Sequence, residues 1–194
     1  MKLVFATNNK HKIVEVQELL KKDFRILNLN DIGYNEELEE TGNTLEANAK
    51  QKAEYIYKKY KVDCFADDTG LEIDALNGLP GVYSARYAGE EKIPEKNIEK
   101  VLREMKEIKN RNARFRTVVS LFLSRKEYVF EGIVNGIILK EPKGKGGFGY
   151  DPVFQPEGFQ KSFGEISLYE KNKISHRAIA VKKLADFLNT LKGD

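Results

Sequence analysis

The chain has 194 residues, of which 41% are hydrophobic and 32% are charged, and this composition excludes a disordered or membrane-spanning chain. Its 33 basic and 30 acidic residues leave a formal net charge of +3, too even a balance to require nucleic acid as a partner. Cys64 is the only cysteine, so the sequence also excludes an intramolecular disulfide and a multi-cysteine zinc site.

The N-terminal segment predicts both the first strand and the location of the protein. Residues 3–6 form a short apolar run that is typical of a strand. The polar residues 7–12 end this run too early for a signal peptide. We therefore expect a cytoplasmic protein with no membrane partner, folded as a single domain over residues 1–194.

The next elements follow from apolar spacing and helix-start signals. Apolar residues at helical spacing predict a first helix through residues 13–20, and residues 24–29 predict a second strand. Asn43 and Glu46 have the spacing of a capping box and predict the start of a second helix. The apolar stripe of that helix consists of Leu45, Ala49, Ala53, Ile56 and Tyr60.

Two acidic segments are candidates for a metal site. Residues 62–66 predict a strand that stops at Asp67, and residues 71–75 alternate as a second strand, so Asp67-Asp68-Thr69-Gly70 is predicted to be a turn between them. Glu39-Glu40-Thr41-Gly42 is a second acidic turn that likewise ends in threonine and glycine. Carboxylates from two turns can hold Mg²⁺, which prefers oxygen ligands, although aspartate and glycine are also common in solvated turns.

The rest of the chain predicts two long strands between helices. Residues 98–105 are typical of a third helix, residues 115–123 and 128–138 of strands, and residues 143–149 of a glycine-rich loop. Ser175 can cap a final helix whose apolar stripe consists of Ala178, Val181, Leu184 and Leu188. Helices at both ends and strands in the middle predict an α/β fold in which helices cover the sheet.

Three further segments could bind a nucleotide. Residues 7–12 join a strand to a helix and present backbone N–H groups, amides and an ammonium group, which suits phosphate, although the local pattern alone favours an ordinary polar turn capped by Thr7 or Asn8. Residues 146–152 offer aromatic rings and a carboxylate for a base, or form a hinge. Residues 170–177 place cationic groups and an imidazole at a helix start. Such a group can bind an anion, although charged residues at a helix start are also commonly exposed to solvent with no specific role.

In this order, the segments resemble the inosine/xanthosine triphosphate pyrophosphatase family, also called non-canonical purine nucleotide pyrophosphatases. The matching residues are Thr7, Asn9, Lys12, Glu40-Thr41-Gly42, Asn48-Ala49, Lys52, residues 67–70, 80–87 and 146–152, and Ser175-His176-Arg177. The resemblance spans nearly the whole chain. Lys10-His11 replaces smaller residues often found in the family, and Thr69 stands where serine is also common.

The resemblance implies an elongated α/β fold, a mixed central sheet flanked by helices, with two lobes and the nucleotide cleft between them, usually in a homodimer. It implies hydrolysis of ITP, dITP and XTP to the monophosphate and pyrophosphate with Mg²⁺, which keeps deaminated purines out of nucleic acid. A nucleotide-binding regulator without catalysis, and a pyrophosphatase for modified pyrimidine nucleotides, are the alternatives.

The resemblance also assigns residues. Asp68 becomes the proton acceptor and, with Glu40, a ligand of Mg²⁺, while Asp67 could assist. The residues assigned to the phosphates are Thr7, Asn8, Asn9, Lys10, His11, Lys12, Lys52 and Lys171, and Thr69 also touches the substrate. The residues assigned to the base are Phe148, Gly149, Tyr150, Asp151, His176 and Arg177. A donor such as Arg177 suits a 6-keto oxygen, whereas opposite the amino group of adenine it leaves a hydrogen bond unmade, at a cost of roughly 1 to 3 kcal/mol.

Overall fold

The structure, a computed structural model, describes residues 2–20 and 24–191, which form a seven-stranded mixed sheet and flanking helices. The strands are β1 (Lys2–Phe5), β2 (Arg25–Leu27), β3 (Cys64–Ile73), β4 (Pro80–Gly81), β5 (Asn112–Leu123), β6 (Lys126–Ile138) and β7 (Phe154–Pro156). The α-helices are α1 (Lys10–Leu20), α2 (Leu45–Tyr60), α3 (Pro94–Glu104), α4 (Leu168–Ile174) and α5 (His176–Thr190). The predicted α/β class is therefore confirmed. Among these described helices, none combines the length and apolar character that crossing a bilayer requires.

The sheet order is β2-β1-β3-β5-β6-β7, and β4 also pairs with β3. β1 is parallel to both β2 and β3, whereas β4 is antiparallel to β3 and β7 is antiparallel to β6. Only Ser124 and Arg125 connect β5 to β6, and both have positive φ, 48° and 70°, as tight hairpin turns require. The long strands predicted from alternation are thus neighbours in the sheet.

The described residues divide into two compact units. Unit 1 contains the chain up to Asp68, Thr117–Gly132 and the chain from His176 onward, and unit 2 contains Thr69–Arg116 and Ile133–Ser175. Strands β3, β5 and β6 have residues in both units. A single domain over residues 1–194 and a cleft between its lobes stay predictions.

Unit 1 contains two apolar clusters. In one, α1 and α5 pack on Phe5 and Phe65, whose rings stack with centroids 4.6 Å apart. In the other, Ile56 of α2 packs with Cys64 and Ala66 of β3. Each cluster removes large apolar side chains from water, which is the main stabilising contribution to the unit.

β3 divides its side chains between these two clusters because successive residues of a strand point to opposite faces of the sheet. Phe65 faces α1 and α5, whereas Ala66 faces α2. Asp67 and Asp68 continue the same alternation, since Asp67 bonds residues of α1 and α5 and Asp68 bonds a residue of α2. The two carboxylates therefore enter different layers of unit 1.

Unit 2 has its own core, in which α3 packs against β3, β5 and β7. Its aromatic centre includes Phe115 and Phe154, with ring centroids 4.6 Å apart. Tyr150 is buried in the same core, and its hydroxyl donates a hydrogen bond of 2.9 Å to the carbonyl oxygen of Ser84. This bond ties the predicted base segment to the chain that follows β4.

The predicted acidic turn at residues 67–70 is wrong, because β3 runs unbroken from Cys64 to Ile73. Aspartates usually end a buried strand because burying a charge is costly. Here Lys12 and Arg177 form ion pairs with Asp67 and so offset that cost. Gly70 lets the strand approach its neighbour closely, since a Cβ there would lie 2.7 Å from the carbonyl oxygen of Gly81.

One predicted helix start also differs from the structure, and one helix had no predicted start. The N-cap of α2 is Thr44, whose hydroxyl accepts a 3.1 Å bond from the N–H of Ala47, so the predicted capping box of Asn43 and Glu46 is wrong. A capping box lies at Ser167 and Glu170, where it begins α4, a helix for which the sequence pattern predicted no start. The final helix, α5, begins at His176, directly after Ser175, and its predicted apolar stripe is buried.

Candidate active site

The predicted phosphate segment, residues 7–12, follows β1 and enters α1. Asn9 caps this helix start, because its Oδ1 accepts hydrogen bonds from the N–H groups of His11 and Lys12 at 3.0 and 3.3 Å. Thr7 is buried, and its hydroxyl accepts from the N–H of Asn9 at 3.2 Å. Local capping thus orders the segment, as expected for a polar turn at a helix start. The capping residue is Asn9 rather than Thr7 or Asn8. Its contact with phosphate stays a prediction.

Asp67 is the centre of a buried ionic network in unit 1. Its carboxylate lies 3.0 Å from the ammonium of Lys12 and 3.0 Å from Nε of Arg177, and only 1% of the Asp67 and Arg177 side chains is exposed. The guanidinium of Arg177 also donates to the carboxylate of Glu15 on α1. The network joins α1, β3 and α5, and it holds the only guanidinium assigned to the base.

The charges of this network fix its protonation. Burial alone raises the pKa of Asp67, but Lys12 and Arg177 outweigh it and hold the pKa of this carboxyl well below its usual range. Burial likewise lowers the pKa of Arg177, and Asp67 and Glu15 together raise it above its usual value. Asp67 is therefore an ionised, fixed partner of two cations rather than an exchangeable proton site.

Lys52 of α2 stands between the two predicted metal ligands. Its ammonium donates to the carboxylate of Glu40, lies 4.0 Å from Oδ1 of Asp68, and donates a 2.8 Å bond to the carbonyl oxygen of Asp67. Burial lowers the pKa of Lys52, but Asp68 and Glu40 outweigh burial and raise it. For Glu40, burial raises the pKa and Lys52 brings it below its ordinary value. The two carboxylates thus surround one cation.

Asp68 differs chemically from its neighbour. Its Oδ2 accepts a 3.1 Å hydrogen bond from the buried amide of Asn48. Burial raises the pKa of Asp68 and outweighs the opposing charges of Lys52 and Lys12. Two neighbouring carboxylates with pKa values shifted in opposite directions are typical of an acid–base site, in which the group with the raised pKa exchanges the proton.

The donor set is compatible with a divalent cation whose remaining ligands come from substrate and water. Within residues 2–20 and 24–191, no group of three or more His, Cys, Asp or Glu side chains could hold a metal ion. Mg²⁺, however, is usually held by one or two carboxylates together with substrate phosphates and water, rather than by an all-protein cage. Glu40 and Asp68 already hold the ammonium of Lys52 between them, so their oxygens can surround a cation at this point.

A second cluster lies in unit 2 and contains most of the predicted base segment. The ammonium of Lys171 and the carboxylate of Asp151 form a buried ion pair of 2.6 Å. The same carboxylate accepts a 2.8 Å bond from the N–H of Phe148, and the ammonium lies 4.7 Å from the Phe148 ring centre. A Cβ at Gly147 would overlap the Asp151 carboxylate, so glycine is required there.

The structure regroups the predicted contacts. Lys171, assigned to the phosphates, bonds a residue assigned to the base, and Arg177, assigned to the base, bonds Asp67. In unit 1 lie Thr7, Asn8, Asn9, Lys10, His11, Lys12, Glu40, Lys52, Asp68, His176 and Arg177, and in unit 2 lie Thr69, Phe148, Gly149, Tyr150, Asp151 and Lys171. The substrate contacts of all these residues stay predictions.

Glu15 is the site residue that sequence reasoning missed. It is 3% exposed on α1 and pairs with Arg177, which lies 162 positions away in the chain. The sequence offered one indication that Glu15 is buried: it lies next to Val16 of the apolar stripe of α1, three residues after Lys12. Such a residue is usually solvated, so only the tertiary structure identifies its partner.

The mixed sheet flanked by helices defines the class of this protein as α/β, and unit 1 contains a buried cluster of carboxylate and ammonium groups. The Ham1 family model matches residues 3–187, and the chain belongs to the Ham1 family. It is 54% identical over 187 residues to a dITP/XTP pyrophosphatase of Flavobacterium psychrophilum, covering 96% of this chain and 98% of the relative.

Solved structures agree with this assignment. The Staphylococcus aureus Ham1 protein is 39% identical, with a TM-score of 0.89 over 98% of this chain and 99% of the other. A HAM1 protein from Coxiella burnetii is 36% identical, with a TM-score of 0.90 over 98% and 99% of the two chains. The family resemblance recognised from the motifs is therefore confirmed over nearly the whole chain.

Proposed function

We propose that this chain hydrolyses dITP, ITP and XTP to the nucleoside monophosphate and pyrophosphate and so cleanses the nucleotide pool. The observation that carries the proposal is the pair of carboxylates, Glu40 and Asp68, around the ammonium of Lys52. A site of two carboxylates and a cation suits a phosphoanhydride, whose oxygens need positive charge and whose attacking water must lose a proton. Similarity to relatives named dITP/XTP pyrophosphatase supports the substrate class.

In the proposed reaction, Asp68 accepts the proton of the attacking water, whose oxygen forms a bond to phosphorus. The P–O bond of the bridge between the α and β phosphates breaks, and the nucleoside monophosphate and pyrophosphate are released. The pKa of Asp68, raised by burial, supports its role because a base with a higher pKa takes the proton more readily. Glu40 and Asp68 would hold Mg²⁺, which when bound makes a coordinated water more acidic and neutralises phosphate charge. Lys12 and Lys52 would supply further positive charge to the phosphates.

The base would be recognised by the segment around Phe148 and Asp151, together with His176 and Arg177. The ring of Phe148 can stack on a purine, and charged hydrogen-bonding groups can select among purines. A homodimer is also part of the proposal and rests on the family resemblance. A cytoplasmic location, predicted from the sequence, is part of it as well. Light scattering coupled to size-exclusion chromatography tests the dimer.

A substrate panel tests the proposed activity. Pyrophosphate release is measured from dITP, ITP, XTP, ATP, GTP and a methylated UTP at subsaturating concentration, with Mg²⁺ and with excess EDTA. We expect the first three to be hydrolysed fastest, ATP much more slowly, and all turnover to stop in EDTA. Equal turnover of ATP and dITP would contradict the proposed specificity, and faster turnover of methylated UTP would favour a pyrimidine nucleotide pyrophosphatase.

Replacement of the proposed base tests its role. Asp68→Asn keeps the size of the side chain but removes the proton acceptor, so turnover should fall at least 100-fold, as for loss of a general base. Equilibrium binding of dITP to this variant should persist. Asp74→Asn, the same change at an exposed aspartate, is the control and should retain activity. If the unmodified protein binds dITP but never releases pyrophosphate, the protein is a nucleotide-binding regulator instead.

A further inference from the structure

The amide of Asn48 connects the two proposed metal-binding segments. Its side chain is fully buried, its Oδ1 accepts a 2.7 Å bond from the N–H of Gly42, and its Nδ2 donates a 3.1 Å bond to Oδ2 of Asp68. The partners dictate this orientation, because a backbone N–H can only donate and an ionised carboxylate can only accept. One planar amide therefore bonds both the loop that carries Glu40 and the carboxylate of Asp68.

Gly42 shows how closely the loop lies against α2. A Cβ at Gly42 would lie 2.7 Å from Cβ of Ala47 and 2.8 Å from Oδ1 of Asn48, so any larger residue would push the loop away. Glu40 precedes this glycine by two residues. The position of the Gly42 N–H therefore limits where the carboxylate of Glu40 can lie.

Lys52 contacts the same two carboxylates but cannot fix their geometry. Its ammonium is a point charge on a flexible stem with rotatable donors, whereas the amide of Asn48 presents one acceptor and one donor set at fixed directions. Lys52 supplies charge between Glu40 and Asp68. Asn48 supplies directional bonds on both sides of the same pair.

We propose that Asn48 is a positioning residue that ties the Glu40 loop to the carboxylate of Asp68 and so keeps the two metal ligands at one spacing. This inference rests on the proposed function. Residues that orient metal ligands typically change metal affinity or activity by about 10- to 100-fold when replaced. Neither bond involves the nucleotide, so the loss should appear in kcat and in metal binding more than in the KM for dITP.

The experiment compares Asn48→Leu with Gln51→Leu. Gln51 holds the same loop, since its Oε1 accepts a 3.0 Å bond from the N–H of Thr41, and its side-chain amide also bonds the Thr41 hydroxyl rather than Asp68. Both variants lose a loop contact, and only Asn48→Leu also loses a bond to Asp68. Asn48→Ala is made in parallel in case the leucine variant does not fold, and circular dichroism checks all of them.

Two measurements are made on the full-length proteins. Pyrophosphate release from dITP gives kcat, KM and the Mg²⁺ concentration for half-maximal rate. Electron paramagnetic resonance of free Mn²⁺, with α,β-methylene-dITP present, gives metal binding without turnover. For the Asn48 variants we expect kcat to fall about 10- to 100-fold and Mn²⁺ binding to weaken by a similar factor. For Gln51→Leu we expect kcat and the Mn²⁺ affinity to stay within about threefold of the wild-type values, as for loss of an exposed hydrogen bond.

Equal losses in the Asn48 and Gln51 variants would overturn the inference, because loop anchoring alone would then explain them. Wild-type Mn²⁺ binding in a folded Asn48 variant would overturn it as well. An inactive wild-type protein would instead overturn the proposed function and this inference with it. The outcomes of the two proposals are thus distinguishable in one set of assays.

Discussion

Two neighbouring aspartates of β3 have the same side chain but different surroundings. Asp67 is held between Lys12 and Arg177, which keep its pKa low, whereas burial dominates at Asp68 and raises its pKa. Asp67 therefore remains a charged structural partner over a wide pH range. Asp68 is left as the carboxylate with the higher proton affinity, which is what its proposed role as a base requires, and this difference comes from tertiary contacts.

Replacing Asp67 should destabilise the protein in a pH-dependent manner. Asp67→Asn leaves Lys12 and Arg177 without their buried carboxylate, and breaking such a pair costs roughly 3 to 5 kcal/mol. Because the pKa of Asp67 is lower in the folded than in the unfolded chain, its contribution to the free energy of unfolding is complete above about pH 4, the unfolded pKa, and fades as the pH falls further.

Urea unfolding of the wild type and of Asp67→Asn, from about pH 7 down to about pH 3, measures the difference in their free energies of unfolding on both sides of the unfolded pKa of aspartate. The difference in the free energy of unfolding between wild type and Asp67→Asn should be largest at neutral pH and should decrease at the lowest pH values. Asp74→Asn, at an exposed position, is the control and should show no such difference. A difference that stays constant over the whole range would mean that the charge of Asp67 is not its cause.

At the scale of single residues, the sequence predicted which residues belong to the candidate site better than it predicted their bonding partners. The motifs predicted Lys12, Lys52 and Asp68 to be site residues, and the structure brings these three together in unit 1. The motifs could not show that Arg177 bonds Asp67, because 110 positions separate the two residues and no local pattern connects them. Long-range ion pairs depend on the packing of α1, β3 and α5, which periodicity alone does not specify.

At the scale of elements, local periodicity predicted the strands and helices whose surroundings are apolar. β5, β6 and α5 show regular patterns, and each was predicted within a few residues of its observed bounds. β3 was predicted as two strands and a turn because its middle residues are poor strand formers in isolation. Cations from α1 and α5 stabilise these residues in the sheet, and no rule based on neighbouring residues includes that contribution.

Gly132 is required where α5 packs on β6. A Cβ at this position would overlap the carbonyl oxygen of His176 and would lie 2.6 Å from the backbone nitrogen of Ala180. Gly132→Ala should therefore push the first turn of α5 away from the strand and lower the free energy of unfolding by roughly 1 to 3 kcal/mol, as overpacking does.

Chemical denaturation measures this effect, and pyrophosphate release should also fall because Arg177 moves with α5. Val129→Ala, on the same strand with 54% of the residue exposed, is the matched control and should change the free energy of unfolding little. Equal stability of wild type and Gly132→Ala would show that the helix adjusts to the methyl group without cost.

At the scale of the whole molecule, the order of the motifs predicted more than any single element did. Residues 67–70 alone could not be distinguished from a turn, and the family became recognisable only from six motifs in sequence. The mixed sheet flanked by helices followed from that resemblance and is confirmed. Periodicity by itself predicted an α/β fold but neither the strand order nor β4 and β7, which are only two and three residues long.

Metal removal should stop catalysis without unfolding the protein. Each unit has its own apolar core, and the proposed ligands Glu40 and Asp68 already share the ammonium of Lys52. The fold therefore does not depend on a metal ion in the way that small zinc domains do. Circular dichroism in excess EDTA should show native secondary structure and a Tm within a few degrees of the untreated protein; cooperative loss of structure on adding EDTA would contradict this expectation.

The alternation of side chains along β3 also constrains how this gene can change. Deleting one codon between those for Cys64 and Asp67 would shift the strand by one residue and exchange the faces of all residues that follow. Both aspartates would still be encoded, yet Asp68 would point at Arg177, and Thr69 would occupy the position beside Asn48. A sequence alignment would score such a variant as having intact acidic residues, although its chemistry would be lost.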